Sequence, residues 1–96
     1  MFITPIMEYV DVMGQMIIIE IDDKLCKDEE AEGLFHGGTI SLRSQYDTEK
    51  HFKTVLYHEM FHALCEELGC QLDIHMEETL AHRVSTMFSG IIPIYV

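Results

Sequence analysis

The chain has 96 residues, 48% of them hydrophobic and 24% charged, which fits one small globular domain over residues 1–96 and excludes wholesale disorder. Six Lys and Arg against 17 Asp and Glu give a net charge of -11, which repels phosphate backbones and anionic lipid surfaces and argues against direct nucleic-acid binding. Cys26, Cys65 and Cys70 lack Cys-x-x-Cys spacing, the start carries no basic leader, and no apolar run approaches the ~20 residues of a membrane span. A disulfide framework is therefore excluded, and a reduced cytoplasmic setting without membrane contact is expected.

From Tyr9 to Ile21 two extended segments flank Gly14. Val10 and Val12 share one face of the first, and Ile17, Ile19 and Ile21 one face of the second, so a β-hairpin is predicted. Asp22 to Gly38 is acidic and closes on Gly33 and Gly37-Gly38, which reads as a connection with at most a helical turn. Thr39 to Arg43 alternates, with Ile40 and Leu42 inward and Thr39, Ser41 and Arg43 outward. It is expected as a third strand at a sheet edge, either one whose free backbone groups pair with an extended peptide or, equally, a plain edge guarded by Arg43.

Asp47 is a good helix cap and Gly69 a good stop, so a long helix is predicted from about Thr48 to Leu68. Tyr57, Phe61, Leu64 and Leu68 form one apolar stripe on it, and Phe52, Leu56 and Ala63 form another. The sector between them holds His51, Val55, His58, Glu59, His62 and Glu66. Asp73 can cap a second helix that carries Glu77 and Glu78 early, then an apolar face of Leu80, Ala81, Val84, Met87 and Phe88, and ends at Gly90. The last stretch, Ile91-Ile92-Pro93-Ile94-Tyr95-Val96, reads as an apolar tail packed on the core or on a neighbouring copy, a candidate surface for self-association. These elements predict an α+β fold, with about three strands, antiparallel or mixed, packed on the two helices.

The run His58-Glu59-Met60-Phe61-His62 names a chemistry. Histidines four apart on a helix project from one face, so both imidazoles reach one metal ion, and the glutamate between them sits where a general base is needed. Chance alone would supply on the order of 0.04 copies of this pattern at the chain's own His and Glu frequencies. Catalytic zinc takes three protein ligands and keeps a position for water. The third is sought among Glu77, Glu78, His75 and His82, and helical geometry alone does not separate the two acids. Two bland readings stand beside this one: a pair of imidazoles satisfied by carboxylates, and a zinc that only holds two helices together.

His58-Glu59-Met60-Phe61-His62-Ala63-Leu64 followed by Glu67-Leu68-Gly69 resembles the active-site helix of zincin-type metallopeptidases with a glutamate third ligand, the gluzincins. It is most similar to the small phage- and prophage-encoded members. The resemblance runs from about Tyr9 to Phe88 and implies a minimal zincin-like domain with one Zn²⁺ per chain on His58, His62 and Glu78, with Glu59 as general base. The apolar spacing of Glu78-Thr79-Leu80-Ala81-His82-Arg83-Val84-Ser85 is what favours Glu78 over Glu77. His82 stands where such proteins often carry an acid that supports a metal-bound imidazole, and Asp73 is a candidate replacement. The implied activity is zinc-assisted hydrolysis of peptide bonds in a peptide or protein substrate. Tyr46, His75, His82 and Arg83 are candidates for stabilising the oxyanion. The alternative is a catalytically silent zinc-binding module that regulates or binds another protein.

Overall fold

The computed structural model describes residues 1–69 and 72–89, the last two as backbone only. Strand β1 (Phe2–Ile3) is followed by β2 (Tyr9–Val12) and β3 (Gln15–Ile21), the predicted antiparallel hairpin. Its two-residue turn places Met13 and Gly14 at φ 52° and 82°, the handedness that matches strand twist in a tight hairpin. Asp11 Oδ1 accepts from the Gly14 N–H at 2.6 Å and pins the turn. Along β3 the alternation holds for Ile17 and Ile19, both buried, while Met16 and Ile18 face out. Ile21, at the strand end, is half exposed rather than inward.

The acidic connection holds more structure than its composition suggests. Helix α1 (Asp23–Asp28) is capped by Asp22, whose carboxylate accepts from the Leu25 N–H, and β4 (Gly33–His36) follows. A second tight turn at Gly37-Gly38, both at positive φ, leads into β5 (Thr39–Leu42). The sheet order is β2-β3-β5-β4, with β3 and β5 parallel and the other pairs antiparallel. The fold is α+β with a mixed sheet of four strands, one more than predicted. The third predicted strand is therefore interior, and β4 takes the edge. Its four residues start on glycine and show no polar–apolar alternation, so no pattern marked it.

Ser41 corrects another expectation. It is 0% exposed rather than outward, because α1 lies over that face, where Cys26 Sγ contacts the Ser41 carbonyl. Burial of a hydroxyl requires partners. Ser41 Oγ donates to Glu20 Oε1 and meets His36 Nε2, each at 2.8 Å.

A two-residue strand β6 (Gln45–Tyr46) pairs with β1 and delivers the chain to α2 (Glu49–Leu68). Thr48, not Asp47, is the cap, since its hydroxyl accepts from the His51 N–H at 3.0 Å. Gly69 ends the helix at φ 66°, a conformation glycine adopts without steric penalty. Phe52, Leu56 and Ala63 are buried against Ile17, Ile19, Ile40 and Leu42 of the sheet, each large side chain contributing about 1.5–3 kcal/mol. The other stripe is less enclosed, and Leu68 is exposed. Helix α3 (Ile74–Ser89) packs along α2, with Ala81 and Ser85 fully buried, so α2 lies between sheet and helix as its two stripes imply. Cys70, the Phe88 side chain, Gly90 and the tail at 91–96 lie outside the described residues. Among those described, no helix is long and apolar enough to cross a membrane.

Candidate metal centre

Three elements build the site. Helix α2 carries His58 and His62 one turn apart, with ring centroids 4.9 Å from each other. Helix α3 brings Glu77 from its first turn and Glu78 from just beyond it, and the Asp73 carboxylate accepts from the Met76 N–H at 2.8 Å and fixes the helix start. Strand β4 closes the third side. A Cβ on Gly33 would stand 2.7 Å from Val55 Cγ1 and 3.4 Å from Glu59 Cγ, so the strand approaches α2 this closely because residue 33 has no side chain.

The two adjacent glutamates do different things. Glu78 spans both rings, with Oε2 at 3.2 Å from His58 Nε2 and Oε1 at 2.8 Å from His62 Nε2. Glu77 lies on the other side of His62, its Oε2 at 2.5 Å from Nδ1. Helical geometry could not rank the two acids; the structure places Glu78 with the paired nitrogens and Glu77 behind one ring. The Asp73 carboxylate is instead the cap of α3, and among the described residues the imidazoles of His58 and His62 meet Glu77 and Glu78.

His58, His62 and Glu78 each offer one ligand atom, and all three atoms lie within 4.8 Å of one another. Tetrahedral zinc at about 2.0–2.1 Å from its ligands separates them by roughly 3.3–3.4 Å; the His58 Nε2–Glu78 Oε2 distance of 3.2 Å is near that spacing, whereas His62 Nε2 meets the other oxygen of Glu78 at 2.8 Å. Two imidazole nitrogens and a carboxylate oxygen also have the borderline character that divalent transition metals accept. The group can hold a metal ion.

No protein-family model, curated protein or solved structure matches this chain.

Electrostatics sharpen the picture. Burial pushes the His58 pKa down, against the pull of Glu78, and so favours the neutral imidazole that ligates metals. Glu59 is 8% exposed. Burial raises its pKa to about 7, with the Glu78 charge adding to the rise, while His62 and the Phe35 backbone N–H oppose it. Cavities open on both sides of this carboxylate. One, of about 480 Å³, is lined by Leu34, Phe35, His62, Glu66, Ile74 and Glu77 among others. The second, of about 340 Å³, includes Glu32, Gly33, Val55, His58 and His82. Glu59 lines both.

The other candidates scatter. His82 lines the cavity that His58 and Glu59 share, whereas His75 and Arg83 are exposed on α3. Tyr46 is only 4% exposed, and its hydroxyl donates to the Glu32 carbonyl while accepting from the Arg43 N–H at 3.0 Å, so it is a structural pin. Sequence reasoning missed the role of Glu77 and the position of β4. A signal for the first was present: an acid beside a ligand on a helix lies about 100° round the axis and can reach the far edge of the same ring.

Proposed function

We propose that this chain is a zinc-dependent peptidase of the zincin-like, gluzincin type, with His58, His62 and Glu78 as zinc ligands and Glu59 as general base. The observation that carries the reading is the Glu59 carboxylate, buried yet bordering two cavities, directly beside a set of three metal-competent donors. Burying a carboxylate is costly, and only the Phe35 backbone N–H and His62 offset that cost at Glu59; service as a catalytic base accounts for its position. Zinc bound here would supply Lewis-acid activation of water and of the scissile carbonyl. Glu59 takes the proton from the attacking water and then delivers it to the leaving amine. Glu77 holds the His62 ring in the orientation that turns Nε2 toward Glu78.

The substrate is laid along β4. Phe35 turns its N–H toward Glu59 and thus away from β5, and by the two-residue period of an antiparallel strand Gly33 directs its backbone groups the same way. An extended segment entering the cleft runs past this edge, the role expected above for Thr39 to Arg43.

The test compares wild type with Glu59→Gln. Both should bind close to one zinc per chain, and the variant should lose roughly 10²–10⁴-fold in hydrolysis of a peptide library. Equal inertness with zinc bound would replace the enzyme by a silent zinc-binding module.

A further inference from the structure

The cleft carries a charge pattern that names a class of substrate. The two cavities flanking Glu59 are bordered by five glutamates, Glu32, Glu59, Glu66, Glu77 and Glu78, and among the described lining residues there is no Lys or Arg. Four of the five already have local work: Glu78 on the paired nitrogens, Glu77 on His62 Nδ1, Glu32 on His51 Nε2 at 2.9 Å, and Glu59 beside the metal donors with the Phe35 N–H on its carboxylate. Glu66 is different. It stands one helical turn beyond His62, exposed at the rim of the larger cavity, whose wall is completed by Leu34, Phe35 and Ile74.

We propose that this cavity takes a Lys or Arg side chain next to the scissile bond, and that Glu66 is the residue that selects it. A helical turn advances about 5.4 Å, which is comparable to the reach of a Lys or Arg stem. Such a side chain lays its methylenes on Leu34, Phe35 and Ile74 and carries its cationic head to the Glu66 carboxylate. A neutral side chain fills the same wall without the charge pair. An acidic one meets several carboxylates across a concave surface that concentrates their field. The chain's net charge of -11 acts in the same direction at long range, drawing in basic segments.

This specificity rests on the peptidase reading for its effect on turnover, but binding tests it separately. Zinc-loaded Glu59→Gln protein is titrated with fluorescent peptides of one neutral sequence that differ at a single central position, Lys, Leu or Glu. Lys should bind about tenfold tighter than Leu, Glu weaker than either, and the spread should shrink at high salt. Glu66→Gln should remove most of the Lys preference, and Glu66→Lys should invert the order. Glu66 is exposed, so both variants are expected to keep the wild-type circular dichroism spectrum. Equal binding of Lys and Leu peptides, or a Lys preference that survives Glu66→Lys, overturns the proposal. A Lys preference in binding combined with wild type no faster than Glu59→Gln instead overturns the peptidase reading and leaves the basic-segment site standing.

Discussion

Removing Glu77 separates a residue that holds a ligand from a ligand itself. Its carboxylate meets His62 Nδ1 at 2.5 Å, while Glu78 meets both Nε2 atoms. A hydrogen bond to a charged group contributes about 1.5–3 kcal/mol, and groups that orient a metal-bound histidine contribute about 10–100-fold in metal affinity. The two figures agree, since each tenfold step is about 1.4 kcal/mol. Glu77→Ala should therefore weaken zinc binding by about 10–100-fold and keep a stoichiometry of one. Glu77→Gln should lose less, because its amide oxygen still accepts from Nδ1–H. Glu78→Ala removes a donor atom and should lose more than 100-fold. Competition against a chromophoric chelator at fixed pH measures all three. An affinity order in which Glu77→Ala falls below Glu78→Ala would refute the assignment of the two acids.

Gly33→Ala should destabilise the fold by about 1–3 kcal/mol, because its Cβ meets Val55 Cγ1 at 2.7 Å; a denaturant midpoint equal to wild type would show that β4 can yield freely. Tyr46→Phe leaves the Arg43 N–H and the Glu32 carbonyl without the phenol and should lose about 1–3 kcal/mol at neutral pH. Burial pushes the Tyr46 pKa up to about 12 from 10.0, so the folded state keeps a proton that the unfolded chain has released. That contribution is complete below pH about 10 and is lost as pH rises toward about 12, to an extent of up to about 2 kcal/mol. Stability of wild type should thus fall over this window more steeply than that of Tyr46→Phe, as read by urea unfolding, and parallel slopes would contradict it. Free zinc at 100 times its dissociation constant should stabilise the fold by about 2.7 kcal/mol and raise the melting temperature by roughly 10 °C or more. The rise should vanish with His62→Ala; one that persists would place the metal elsewhere.

The parts of this fold that were legible are those in which one physical preference acted alone. The hairpin at Met13-Gly14 announced itself through glycine and flanking β-branched residues, and α2 through its cap, its stop and two apolar stripes. Where two preferences met, the sequence misled. In Gly33–His36 the need for close approach to α2 overrode strand propensity and put glycine first, so no alternation was left to read. Ser41 looked outward because it is polar, yet α1 covers it and two polar partners satisfy it. The site followed the same division. His58, Glu59 and His62 are fixed by spacing within one helix, whereas their acidic partners depend on how a second helix returns, which is tertiary geometry and not written in any local pattern.

Asp73 shows how such geometry still comes down to single residues. Offered as an imidazole partner, it acts instead through the backbone, by accepting from the Met76 N–H and setting the residue at which α3 begins. Glu77 and Glu78 follow by four and five positions, within the first turns, where the positive end of the helix dipole favours carboxylates. Their side chains diverge by about 100°, so one acid meets Nε2 of His62 and its neighbour meets Nδ1 of the same ring. A helix start shifted by one residue would rotate both acids by that angle and separate them from the ring they grip. The cap therefore places both acids at once, and the position of Asp73 relative to Glu78 matters to the metal centre as much as the four-residue spacing of the histidines.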